Sequence, residues 1–280
     1  MISTSRKKLY EKLPLAAVIM ITLFFFYQKA LNRKPHCDYP VRTISSYQEA
    51  LPEVDDDTLV LFDVDDTLIT SPALNPNYFT WWFKMLFILR YPSHITLNWE
   101  NAYSLLWATV PFTLTDPSVI DVIKSFQENH ATVLALTSME SGSYGVIESM
   151  PAWRYAMLKH MGIEFSQQFA DHVFSNFPAY RSNYPTLYKG ILCANQQNKG
   201  DVLQAFLTYA KLKPSHIIAF DDSLTALQSI GKICEIAAIS CTLIQYRHSE
   251  TPTTWNTWHA LKQFEHLIKE HRWISDEISS

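Results

Sequence analysis

Four short apolar runs, with helical patterning between them, constrain this chain more than any other feature. "DTLVLFDVD" (57–65), "ATVLALTS" (131–138), "SHIIAFDD" (215–222) and "CTLIQY" (241–246) suit strands buried on both faces. "PSVIDVIKSFQENH" (117–130) carries Val119, Val122, Ile123 and Phe126 at helical spacing. "KGDVLQAFLTYAKL" (199–212) sets Val202, Leu203, Phe206, Leu207 and Ala210 on one stripe, and "SLTALQSIGKICEIA" (223–237) is a third helix candidate. Strand and helix alternate, which predicts an α/β fold: a Rossmann-like parallel sheet with helices on both faces. The C-terminal "TTWNTWHALKQFEHLIKEH" reads as an amphipathic helix turning Trp255, Trp258, Leu261, Phe264 and Ile268 toward the body.

Three of the four runs end in carboxylates or hydroxyls: Asp63 and Asp65 after the first, Thr137 and Ser138 after the second, Asp221 and Asp222 after the third. Ligands in open α/β sheets bind outside the carboxyl ends of the strands, so these groups leave the core where a site belongs. Residues two apart on an extended segment point to one side, and Asp63 and Asp65 can therefore address the same space. Carboxylates converging there repel unless a cation sits among them, and a hard, oxygen-loving ion such as Mg²⁺ is the economical answer.

Composition excludes other readings. The net charge of −4 leaves no basic stripe for a nucleic-acid backbone. Six glycines in 280 residues, with no Gly-rich phosphate motif, argue against Walker or dinucleotide cradles. At the N-terminus, Arg6, Lys7, Lys8 and Lys12 precede an uncharged run from Leu13 to Tyr27. As a helix this run spans about 22 Å, short of the ~30 Å hydrocarbon layer, as expected of an export signal or a short membrane anchor. Residues 1–35 are accordingly expected to form a signal or anchor, making the protein membrane-anchored or exported, in the envelope, periplasm or medium. An oxidising compartment would allow Cys234 and Cys241 to bridge, although small buried thiols are the more ordinary use of such cysteines.

The segment "DVDDT" (63–67) is similar to the D-x-D-x-T signature of the haloacid dehalogenase-like (HAD) hydrolases, a superfamily dominated by Mg²⁺-dependent phosphatases and phosphotransferases. It follows an apolar strand, and Thr137 after "VLAL", Lys199 opening a helix and Asp221-Asp222 after "HIIAF" arrive in the family's order. The pattern also resembles a bacterial branch of the superfamily with an N-terminal hydrophobic segment. The resemblance implies that Asp63 attacks the phosphorus of a small phosphomonoester to form an aspartyl-phosphate, while Asp65 protonates the leaving alcohol and later deprotonates water. It implies Thr137 and Lys199 as phosphoryl contacts, with Lys189 or Ser138 as substitutes by position. It implies a Mg²⁺ shell of Asp63, the Asp65 main-chain carbonyl and Asp222, with or without Asp221. Asp66 reads as a turn residue.

One departure stands out, because the family carries a further Asp or Asn four residues after its metal aspartate, where this chain has Ala226. A non-catalytic envelope or host-interaction protein retaining the fold is therefore one alternative reading; a phosphotransferase working through the same aspartyl-phosphate is another. Specificity in the superfamily lies in an inserted cap, and residues 69–115 leave room for one between the core segments 36–68 and 116–280. "NPNYFTWWFKMLFILRYP" (75–92) and "LNWENAYSLLWATV" (97–110) are its helix candidates. Its aromatics form the cap's own core, or face an apolar substrate or the membrane. "MPAWRYAMLKHMGIEF" (150–165) is expected to begin as a helix after Pro151, with Arg154 at the surface or in contact with substrate.

Overall fold

The computed structural model describes residues 39–49, 52–247 and 255–274. Eight strands form one sheet. In chain order they are β1 (Val41–Ile44), β2 (Thr58–Phe62), β5 (Thr132–Thr137), β6 (His172–Val173), β7 (Thr186–Tyr188), β8 (Ile191–Cys193), β9 (His216–Asp221) and β10 (Ser240–Tyr246). The spatial order is β1-β10-β9-β2-β5-β8-β7-β6, parallel from β1 through β8 and antiparallel over the last two pairings. This mostly parallel sheet, covered by helices, is the α/β architecture expected from the alternating runs.

Alternation along the strands explains the layering. Leu59, Leu61, Leu134, Leu136, Ile217 and Ala219 face one side, where they pack with Val202, Leu203 and Phe206 of α5 (Lys199–Ala210) and Leu227 and Ile230 of α6 (Leu224–Ala237). Val60, Phe62, Val133, Ala135, Ile218 and Phe220 face the other, against α3 (Val119–Glu128) and α4 (Met150–His160). Parallel strands need a crossover, and each of these helices supplies part of one. Gly162, at φ 88°, follows the last turn of α4 and ends it.

Between β2 and β5 the chain makes a long excursion. A two-stranded antiparallel ribbon, β3 (Ile69–Thr70) with β4 (Thr113–Leu114), forms its neck. Beyond the neck lie α1 (Trp81–Arg90), capped by the Thr80 hydroxyl, and α2 (Trp99–Thr109), capped by the Asn98 side chain. The 75–92 stretch thus begins as a 3₁₀ turn, Pro76–Phe79, before α1 starts.

The C-terminal helix α7 (Thr257–Glu270) departs from expectation. It packs on the excursion, not on the sheet: Ala260, Leu261, Phe264 and Leu267 share a core with Tyr78, Phe83, Phe87, Tyr103 and Leu106. Trp258 is 67% exposed. At roughly 100° per residue it lies about 120° round the helix from Phe264, off the buried stripe.

The run Leu13–Tyr27 and Cys37 lie outside the described residues. Among the described residues no helix is long and apolar enough to cross a membrane. Cys234 is a free, buried thiol, so the 234–241 bridge is not formed.

Candidate functional site

The carboxyl ends of β2, β5 and β9 meet the start of α5 at one cleft of about 470 Å³. Asp63 continues the ladder one step beyond β2, its N–H donating to the Phe220 carbonyl at 2.8 Å. The chain then turns back tightly, with the Leu68 and Ile69 N–H groups both donating to the Val64 carbonyl and Asp66 at φ 59°. Asp66 accepts from the Thr70 hydroxyl at 3.1 Å, the turn role expected of it.

Lys199, the first residue of α5, reaches into the cleft. Its Nζ donates to Asp63 Oδ1 and to Asp221 Oδ2, each at 2.6 Å, and all three side chains are buried. Burial opposes the ammonium charge, yet the two carboxylates outweigh it and hold the Lys199 pKa above the ordinary lysine value. Lys189 instead sits exposed in the two-residue turn joining β7 and β8, where it and Gly190 both have positive φ. Thr137 is buried at the end of β5 and lines the cleft beside Ser138.

Asp63, Asp221 and Asp222 offer carboxylate oxygens that lie within 4.8 Å of one another. Burial, reinforced by the Asp63 charge, pushes Asp222 up to about 6 and Asp221 up to about 7. One lysine does not balance this many acids. An all-oxygen donor set of this kind suits a hard divalent cation, so the residues fit Mg²⁺. Ala226 also lines the cleft, so no carboxylate comes from that position.

Two residues were misjudged or missed from the sequence. Thr67, the last residue of "DVDDT", ties the acids together: its hydroxyl donates to Asp63 Oδ2 at 3.1 Å and accepts from the Asp222 N–H at 3.0 Å. Its position in the motif was the signal. Arg154 is not at the surface but wholly buried, donating to Asp65 Oδ1 at 2.8 Å. It belongs to the inward stripe of α4 with Met150, Pro151 and Leu158, and that spacing could have revealed it. The rings of Trp107, Phe112 and Trp153 surround its guanidinium at 5.8, 5.6 and 4.9 Å. Asp65 is thus turned to Arg154 while still lining the cleft. Partial desolvation at the cleft wall raises the Asp65 pKa, with Arg154 opposing and Asp63 adding to the rise. Phe79 and Trp107 from the excursion, with Tyr144, complete the walls.

Fold and site together define an α/β protein with an acidic, lysine-bridged cleft at the strand ends. Over residues 40–280 the chain matches the family described as "Protein of unknown function (DUF2608)", and it belongs to that family. It is 26% identical over 203 residues to an uncharacterized protein, RP296, of Rickettsia prowazekii, covering 71% of this chain and 73% of that one. An uncharacterized protein of Rickettsia felis is 22% identical over 138 residues, 48% of this chain and 47% of its own length. Among solved structures, a HAD family hydrolase from Salmonella enterica serovar Typhi aligns at 11% identity with a TM-score of 0.33, over 78% of this chain and 71% of that one.

Proposed function

We propose that the protein is a Mg²⁺-dependent phosphomonoester hydrolase that works through an aspartyl-phosphate on Asp63. The observation carrying this reading is the Lys199 ammonium, 2.6 Å from both Asp63 and Asp221 in the cleft that Asp222 and Thr137 also line. A carboxylate, a fixed cation and a hydroxyl converging on one space can receive a phosphoryl group and neutralise the charge on its oxygens.

In this reading an Asp63 oxygen attacks phosphorus as the bond to the leaving oxygen breaks, and Asp65 gives that oxygen its proton. Water then attacks the aspartyl-phosphate, losing a proton to Asp65 and releasing inorganic phosphate with Asp63 restored. The raised pKa of Asp65 suits a group that must carry a proton at the start. Lys199 holds Asp63 in place and meets the phosphoryl oxygens together with Thr137. A divalent cation held by Asp63, Asp221 and Asp222 would supply further charge neutralisation. The uncharged run Leu13–Tyr27 supports a membrane-attached or exported location.

The test is hydrolysis of p-nitrophenyl phosphate with Mg²⁺, with EDTA, and by Asp63→Asn. The expected result is turnover that needs the metal and disappears in the variant. Equal turnover by Asp63→Asn removes the proposed nucleophile, and none in any condition favours a protein that keeps the cleft without catalysis.

A further inference from the structure

The outer face of α1 takes no part in the cleft chemistry, and it is apolar yet uncovered. Trp81, Trp82 and Leu89 are 62%, 61% and 70% exposed, and Met85 and Ile95 are exposed beside them. Spacings of three and four along the helix bring residues 81, 82, 85 and 89 onto one side. Phe83 and Phe87, on the other, are buried with their rings 5.2 Å from Phe264. The indoles of Trp81 and Trp82 stack at 4.4 Å, giving a broad aromatic surface. A patch of this kind marks a contact surface.

Charge says which kind. No Asp or Glu occurs between Asp66 and Glu100, although the chain as a whole carries a net charge of −4. Lys84, Arg90 and His94 fall within that acid-free stretch. Lys84 lies over the Trp99 and Tyr103 rings, whereas Arg90 is exposed at the end of α1. Exposed tryptophan on a helix that ends in an exposed arginine, within a stretch free of acids, is the composition of a surface that rests at lipid headgroup level. The same chain carries the uncharged run Leu13–Tyr27 behind four basic residues, which also suits lipid.

We propose that the outer face of α1 docks on an anionic lipid bilayer, with Trp81, Trp82 and Leu89 entering the headgroup layer. Phe79 lines the cleft only two residues before Trp81, so the docking face adjoins a segment that walls the cleft. The inference stands whether or not the cleft hydrolyses phosphate.

Tryptophan fluorescence of the full chain tests it, because the first tryptophan is Trp81 and the N-terminal run cannot contribute. The probe is a vesicle of phosphatidylglycerol and brominated phosphatidylcholine. Quenching is expected, weaker with brominated phosphatidylcholine alone or in high salt. Trp81→Phe/Trp82→Phe should lose most of it, and Trp258→Phe, which removes an exposed indole on α7, should keep it. Leu89→Glu should reduce quenching several-fold even if the chain still sediments with vesicles. Absence of quenching in the wild type, or equal quenching in the Trp81→Phe/Trp82→Phe variant, overturns the proposal. So does self-association in vesicle-free solution that Leu89→Glu abolishes, since the face would then belong to a second copy.

Discussion

A guanidinium with no exposed surface, boxed by three aromatic rings and paired with one carboxylate, has little freedom to be anything but a positioning group for that carboxylate. Arg154→Met keeps most of the volume and removes the pair. The Asp65 side chain stays 37% exposed, so water takes up part of its lost interaction. The stability cost should therefore fall below the ~3–5 kcal/mol typical of a broken, fully buried pair. The chemical cost should be selective. General acid catalysis contributes roughly 10²–10⁴-fold, and it matters most where the leaving group is a poor one. Arg154→Met should depress kcat on an alkyl phosphate far more than on p-nitrophenyl phosphate, with Arg154→Lys between. Equal losses on both would mean that Arg154 serves only the fold.

The acids themselves predict a pH dependence. Asp221 and Asp222, raised to about 7 and about 6, bind protons in the folded state where the unfolded chain does not. Their contribution to stability is thus greatest at low pH and is lost as pH rises from the ordinary carboxylate value of ~4 toward 7. The rise at Asp65 acts in the same direction. Lys199, raised above its ordinary value, loses its contribution only at higher pH and does not alter this window. In EDTA the thermal midpoint should fall between pH 5 and pH 8. At pH 8, Mg²⁺ should raise it, because a cation that binds only the folded acids stabilises them by mass action. A metal-free midpoint that climbs over this range would show that the cluster does not hold those protons.

α5 begins at Lys199, and its seat against α6 fixes where that lysine reaches. A Cβ added to Gly200 would lie 2.3 Å from the Ser229 carbonyl oxygen, which is helix backbone and cannot swing aside. The Gly200 N–H also donates to the Ser229 hydroxyl at 3.2 Å. Gly200→Ala must push the two helices apart, at a cost of ~1–3 kcal/mol for overpacking. Denaturant titration should register that loss, and the phosphatase assay a fall in kcat, since Lys199 moves with the helix. The same pair of helices shows what the sequence disclosed: their apolar stripes, like the strands β2, β5, β9 and β10, are long enough for periodicity to speak. β6, β7 and β8 are two or three residues each, too short to carry a period, and β1 stands alone before a turn. At the cleft, strand-end acids announced themselves because carboxylates follow buried runs. Arg154 was legible only as a member of the inward stripe of α4; its partner Asp65 lies 89 positions away, and no spacing announces that pair.

The chain's last helix closes over its earliest insertion, and this long-range contact decides how the molecule comes apart. Phe264 is fully buried, with its ring 5.2 Å from Phe83 and Phe87 and 5.9, 5.8 and 6.0 Å from Tyr78, Trp99 and Tyr103. Nothing in local periodicity says that α7 should prefer α1 and α2 to the sheet; the preference comes from aromatic area contributed by segments far apart in sequence. Phe264→Ala should cost ~3–5 kcal/mol through the cavity it leaves. Trp258→Ala, at an exposed position of the same helix, should stay within about 0.5 kcal/mol. The loss at Phe264 falls on a core separate from the two that clothe the sheet. Hydrogen exchange should therefore rise first in α1, α2 and α7, and limited proteolysis should cut within 71–112 while β2, β5 and β9 stay protected. Simultaneous loss of protection in the central strands would mean that the insertion and the sheet unfold as one cooperative unit, and that the β3–β4 neck transmits the whole of the damage.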